Sequence, residues 1–314
     1  MPSLSKHPWS FRYLLIRIVL AMLIRPAVIP ILWFRLRRIS LEGIIYTRTS
    51  IPSRDYSEDR RSIKVEVYRF AAHNGAKPAV LINMHGSGFV LPGLGSDRKF
   101  CRFMATHTNC VIFDIDYRKA PENPFPAALQ DVQDIVFHLS TLPNQYDLSN
   151  IFLSGASAGG NLALSASITL GPDVIRGVIA AYPNVDCSKH YIAPEQDYAS
   201  GGIITPWMAD IYWDAYILPD QSRKDPRISP LFSPWESFPK HLYLACGRAD
   251  TLYEPTAMLA QKLKEAGHKD VTLGSFEAEG HSFDKWAKEG TSSAVKRDFM
   301  YAEAADMIKR AMAV

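Results

Sequence analysis

The ten residues Ile151-Phe-Leu-Ser-Gly-Ala-Ser-Ala-Gly-Gly160 constrain the fold more than any other stretch of this chain. An apolar run enters Gly155-Ala-Ser157-Ala-Gly159 and passes directly into Asn161-Leu-Ala-Leu-Ser-Ala-Ser, a helix-forming sequence. A serine set between two glycines at a strand-to-helix turn can project its hydroxyl from the top of a sheet, beside a helix N-terminus. The turn is so tight that side chains two places before or after the serine would strike the neighbouring element, and glycine removes them. Gly, Ala and Ser also pack helices closely, so the pentapeptide alone is a weak signal. Its strand–turn–helix setting carries the weight.

The flanking sequence fits that setting. Ser62–Phe70 alternates Ile63, Val65 and Val67 with polar partners, as a half-exposed strand does. Ala79–Met84, Cys110–Ile115, Ile151–Ser154, Gly177–Tyr182, Leu242–Cys246 and Val271–Phe276 read as further, mostly continuously apolar strands. Helices are expected over Ala127–Leu142, Asn161–Leu170, Tyr253–Ala266 and Ala294–Met312. Short apolar strands alternating with helices predict an α/β fold, with a mainly parallel sheet covered on both faces. One stretch, residues 186–239, breaks the alternation. It is rich in prolines and aromatics and holds one helical candidate, Pro206–Ile217, crowded with Trp207, Tyr212, Trp213 and Tyr216. Insertions of this kind sit over the carboxyl ends of the strands, where ligands bind. The rival reading is a satellite hydrophobic cluster.

Composition excludes several classes. The formal charge of +3 is small and the basic residues are scattered, so no nucleic-acid-binding face is expected. Cys101, Cys110, Cys187 and Cys246 lack metal-ligand spacing; Cys110 and Cys246 lie in strand-like runs, where a reduced, buried thiol is the ordinary state. The segment Phe11–Phe34 is apolar but broken by Arg17, Arg25, Pro26 and Pro30, so it is too interrupted for a spanning helix and lacks a signal-peptide cleavage pattern. It is expected either to cover the site or to lie on a membrane as an interfacial segment. The chain is therefore divided into an N-terminal cap segment or membrane-interface segment, residues 1–45, and a catalytic domain, residues 46–314, with a cap insertion at about 186–239. A cytoplasmic protein, with peripheral membrane contact through its first segment, is the expected location.

A serine hydroxyl needs a base to remove its proton. On a turn of this type the partners follow in the order Ser, acid, His, each on a loop after a strand. Of nine histidines, His281 lies between the last strand and the last helix, whereas His268 precedes that strand; His107, His138, His190 and His241 have no comparable placement. Asp250 follows the preceding strand and is the expected acid, with Glu254 one turn further on as the reserve. Met84-His85-Gly86-Ser87-Gly88-Phe89 has the small residues an oxyanion-binding loop requires. The amides of Ser87 and Gly88 are assigned as donors, with Ala158 as the third. His85 is read as ordering the loop. A phosphate cradle is the rival reading, but neither Gly-rich phosphate spacing is present.

Together these residues resemble the hormone-sensitive-lipase-like branch of the α/β-hydrolases, from about Ala79 to the C-terminus. Asp116-Tyr-Arg-Lys-Ala-Pro-Glu122, Pro124-Phe-Pro-Ala-Ala-Leu-Gln-Asp131, Asp225-Pro-Arg-Ile-Ser-Pro-Leu231 and Asp250-Thr-Leu-Tyr-Glu254 carry the resemblance alongside the turn. The resemblance implies the α/β-hydrolase fold with a helical cap, carboxylic-ester hydrolysis without cofactor or metal, and Ser157, Asp250 and His281 at the triad positions. It implies an acyl-enzyme route on small-to-medium apolar esters, a secondary-metabolite ester being a narrower version, with Phe89, Trp207, Tyr212, Trp213 and Tyr216 as candidate substrate contacts. An acyltransferase or thioesterase using the same residues is the alternative. A non-catalytic binding protein is a third reading, weighed against by the presence of both Ser157 and His281. Two positions depart from the branch's pattern. Ser87 replaces a glycine of the usual His-Gly-Gly-Gly, so it is expected to be strained if its φ is positive, or to offer its hydroxyl to the pocket. Ala156 stands where an acidic residue or threonine is common.

Overall fold

The computed structural model describes residues 15–16, 19–36, 39–54, 61–72, 77–193 and 197–313. Much of the N-terminal segment expected to act as a cap or membrane contact, residues 1–14, 17–18 and 37–38, lies outside them, as does part of the insertion, residues 194–196.

After a π-helical turn at Leu20–Ile24 come α1 (Arg25–Leu36), β1 (Ile44–Pro52), β2 (Ser62–Phe70), β3 (Ala79–Met84), α2 (Arg98–His107) and β4 (Cys110–Ile115). The chain continues through α3 (Ala127–Ser140), β5 (Ile151–Ala156), α4 (Ala158–Leu170), β6 (Gly177–Ala181) and α5 (Pro206–Tyr216). It ends with β7 (His241–Gly247), α6 (Tyr253–Glu265), β8 (Val271–Phe276), α7 (Phe283–Trp286) and α8 (Ser292–Met312). The sheet order is β1-β2-β4-β3-β5-β6-β7-β8. β1–β2 and β2–β4 pair antiparallel; every later pairing is parallel. This is the eight-stranded α/β-hydrolase arrangement.

The mostly apolar character of β3, β4 and β5 follows from burial on both faces, and every residue of each strand is buried, including the polar Asn83, Asp114 and Ser154. Successive residues feed opposite cores, because side chains alternate across a strand. Val80, Ile82 and Met84 join the core under α3, α4 and α6; Ala79 and Leu81 join the core under α2 and α8. The same division runs through Val111/Ile112, Leu153/Phe152 and Leu244/Tyr243.

Three elements were not expected: β1, α2 and the single-turn α7. β1 is an edge strand exposed along most of its length, so Ile44-Ile-Tyr-Thr-Arg-Thr-Ser-Ile-Pro52 has no apolar alternation to announce it. α2 sits in the charged run Arg98-Lys-Phe-Cys-Arg, yet buries Phe100, Cys101, Met104 and Ala105, a helical repeat that short length conceals. All four cysteines are buried free thiols.

Candidate active site

Ser157 lies between β5 and α4, with φ 54° and ψ −118°, a backbone conformation that costs an L-residue roughly 1–3 kcal/mol. Its neighbours hold it there. Its N–H donates to the Ala181 carbonyl at 2.9 Å, and its carbonyl accepts from Asn161 N at 3.0 Å. A Cβ at Gly155 would overlap the backbone of Gly159, and one at Gly159 would overlap the Met84 carbonyl. Helix α4 begins at Ala158, three residues before the helix expected from the sequence, so its N-terminus lies directly against the serine.

Ser157, His281 and Asp250 meet here, although they are distant along the chain. The Ser157 hydroxyl faces His281 Nε2 at 3.0 Å, and His281 Nδ1 lies 2.8 Å from Asp250 Oδ2. A carboxylate only accepts, so Nδ1 carries the proton and Nε2 presents its lone pair to the serine. Asp250 is buried and held independently: Oδ1 accepts from Leu252 N at 2.9 Å, and the Cys246 thiol donates to Oδ2 at 3.6 Å. Glu254 is exposed on the first turn of α6. The histidine loop is stitched to the insertion. His281 N donates to Gly202 O at 2.7 Å, and Gly202 N returns a bond to His281 O at 2.9 Å. A side chain at Gly201 would run into Gly280 and His281 O at 2.7 Å, so both strands of this contact need glycine.

The loop after β3 lies against the serine. A Cβ on Gly86 would sit 3.2 Å from Ala156 O and 3.5 Å from Ser157 Cβ. The loop that carries Ser87 and Gly88 thus lies against Ser157, and Ala158 follows the serine directly in the chain. Neither expectation for Ser87 is met. Positive φ falls on Gly88 (56°) and Phe89 (66°), one and two residues later. The Ser87 hydroxyl shares a 2.6 Å hydrogen bond with Tyr117 Oη, which itself donates to His85 O at 2.7 Å. Serine thus braces the loop from behind. His85 Nδ1 donates to Gly86 O at 3.1 Å and its ring stacks on Tyr117 at 4.8 Å. Its Nε2 is 4.0 Å from Asp116 Oδ1, too far for a hydrogen bond, and has no such partner among the described residues. Burial first, and then the charge of Lys119, lower this imidazole to about 3, so it is neutral.

The five cap and loop aromatics separate. Tyr212 of α5 lies over Gly88, whose Cβ would stand 2.8–2.9 Å from its ring. Phe89 and Tyr216 are buried and stacked at 3.9 Å with their planes 2° apart; Phe125 packs edge-on against Tyr216 at 5.9 Å. They fasten the cap to the oxyanion loop. Trp213 is buried and stacks on His190 at 5.0 Å, while Trp207 is 64% exposed.

Behind the histidine lies a buried polar chain that no sequence spacing signalled. Tyr182 presents its ring edge-on to His281 at 4.9 Å and donates to Asp284 Oδ1 at 2.6 Å. Asp284 Oδ2 accepts from Tyr301 Oη at 2.8 Å and pairs with Lys285 at 2.9 Å. Lys285 also reaches Asp97 at 2.9 Å, and Asn83 then joins Asp97 (3.1 Å) to Asp114 (2.8 Å). Burial alone would raise the Asp284 carboxyl, but the Lys285 ammonium and the two tyrosine hydroxyls hold it below the usual range. Burial and the neighbouring Asp97 push Asp114 well above its usual value.

A family model described as alpha/beta hydrolase fold matches residues 81–285, more than half of the chain. The chain belongs to the alpha/beta hydrolase fold family. Within it, the protein falls in the hormone-sensitive-lipase-like branch and is a hydrolase of the carboxylesterase type. This hydrolase is 28% identical over 242 residues to the versiconal hemiacetal acetate esterase of Emericella nidulans, spanning 71% of this chain and 82% of that one. It is 30% identical over 205 residues to a gibberellin receptor of Arabidopsis thaliana, covering 60% of this chain and 58% of the receptor. Among solved structures, the Pyrobaculum calidifontis esterase superposes with a TM-score of 0.78 at 24% identity, covering 93% of this chain and 92% of that one. At that identity the likeness concerns the fold.

Proposed function

We propose that this hydrolase cleaves small-to-medium apolar carboxylic esters through an acyl-enzyme formed on Ser157. The observation that carries the reading is the hydrogen-bond series from Ser157 through His281 to Asp250, at 3.0 and 2.8 Å. His281 Nε2 takes the hydroxyl proton as Ser157 Oγ attacks the ester carbonyl, and Asp250 stabilises the imidazolium that forms. The oxyanion develops beside the amides of Ser87, Gly88 and Ala158, each such donor being worth about 10²–10³ in rate. His281 then hands the proton to the leaving alcohol. Water, activated by the same imidazole, attacks the acyl-enzyme and frees the acid and Ser157. Tyr212, lying on the oxyanion loop, forms one wall of the acyl pocket in this reading. An alcohol acceptor in place of water would make the same machinery an acyltransferase.

The reading is tested with a chain-length series of chromogenic acyl esters on the wild type and Ser157→Ala. The variant is expected to lose at least about 10³-fold in kcat, leaving a residue of activity from binding and the oxyanion amides. Full activity in Ser157→Ala would end the proposal.

A further inference from the structure

A surface helix in water ordinarily turns its charges outward and its apolar residues inward. The segment from Leu20 into α1 departs from this: Leu20 is buried in the core and Ile24 packs against it, yet the outer side is apolar too. Between Ile18 and Phe34 the chain carries one charged residue, Arg25. That guanidinium faces the protein: Nε donates to Val90 O at 2.9 Å, Nη2 to Ala120 O at 2.6 Å, and both terminal nitrogens to the Glu122 carboxylate at 2.9 Å. Among the described side chains, the outward positions over the same turns are Met22, Pro26, Ala27, Ile29 and Pro30. Met22 is 70% exposed and Ile29 54%. Every one of them is apolar, so the face turned to solvent is the face that gains nothing from it.

The flanking charge identifies the occupant. Besides the inward-paired Arg25, residues 1–41 hold Lys6, Arg12, Arg17, Arg35, Arg37 and Arg38, with no Asp or Glu before Glu42. Basic sequence flanks on either side of an apolar stretch suit an anionic lipid surface, where apolar side chains enter the acyl boundary and basic ones meet the headgroups. A second copy would carry the same excess of positive charge in its first 41 residues. Among the described residues no helix is long and apolar enough to cross a membrane. Arg25 fixes the segment to Val90 and Ala120, immediately beyond the oxyanion loop, so the lipid-facing surface moves with the catalytic domain.

We infer that the outward face of Leu20–Pro30 docks this hydrolase on anionic membrane surfaces. The inference does not depend on the ester chemistry, because docking can be read on the Ser157→Ala protein. The full chain is floated with vesicles of phosphatidylcholine alone or containing roughly a quarter phosphatidylglycerol. At least about tenfold more protein is expected on the anionic vesicles, falling as salt is raised. Met22→Glu/Ile29→Glu is expected to lower that binding about tenfold or more, with thermal midpoint and turnover of a water-soluble ester unchanged. Failure to float with either vesicle, or undiminished flotation of the double variant, would overturn the docking. Equal binding to neutral and anionic vesicles would overturn the headgroup assignment. A concentration-dependent dimer that the double variant abolishes, without vesicle binding, would give the face to a second copy.

Discussion

His85 shows how a residue beside a reactive centre can be committed to structure. Its Nδ1 proton is used on Gly86 O, its ring is clamped on Tyr117, and its Nε2 is buried without a hydrogen-bond partner. Burial lowers its folded pKa to about 3, while an unfolded chain takes up the proton near 6.5. Between those values the unfolded state binds more protons, so stability falls as pH falls; above about 6.5 the contribution is constant. Replacing His85 with Gln is expected to remove this slope. The unfolding free energy of the variant relative to wild type should gain about 1.4 kcal/mol per pH unit from pH 6 towards pH 4, read from urea melts. A difference that stays flat with pH would mean that the folded imidazole accepts the proton freely. The sequence placed His85 in the loop; only packing revealed that its second nitrogen is sealed off.

The elements divide by how their burial is patterned. β3, β4 and β5 are legible because they are buried on both faces, and the elbow because two glycines answer a steric demand that only close backbone approach creates. β1 and α2 were illegible for the opposite reasons, one being an exposed edge and the other a short helix among charges. Even the stretches that carried the family resemblance prove partly architectural. Arg118 clamps Asp131 through its own N–H at 2.6 Å and its Nε at 2.9 Å, tying the loop after β4 to α3. Helix α5 was expected over the site, and its aromatics proved to have separate tasks, since Tyr216 stacks on Phe89 of the loop after β3 and Tyr212 covers Gly88. Tyr212→Ala should therefore enlarge the acyl side of the pocket. The preferred chain length in an ester series is expected to shift upward, with KM for longer esters falling relative to wild type. An unchanged profile would place the acyl chain elsewhere.

At the scale of the whole molecule, the two halves of the sheet meet in the buried chain Asp114–Asn83–Asp97–Lys285–Asp284–Tyr182. It ties β3, β4, α7 and α8 to the loop that presents His281. Removing one member of a buried ion pair strands the other, typically at about 3–5 kcal/mol. Asp284→Asn is expected to lower stability by roughly that amount, and also to reduce kcat on soluble esters more than it raises KM. Loss of stability with kinetics unchanged would restrict the chain to a purely architectural part.

The chain by itself determined whatever depends on local sterics and on periodic burial: the elbow at Ser157 and the alternation of apolar strands with helices. These are contacts between near neighbours, or patterns imposed by a solvent boundary, and both are written in adjacent residues. Tertiary structure alone decided that Ser87 turns away from the pocket, that Phe89 and Tyr216 serve the cap, and that Lys285 lies among carboxylates. Each of those outcomes is set by residues tens of positions away, whose approach no local spacing encodes.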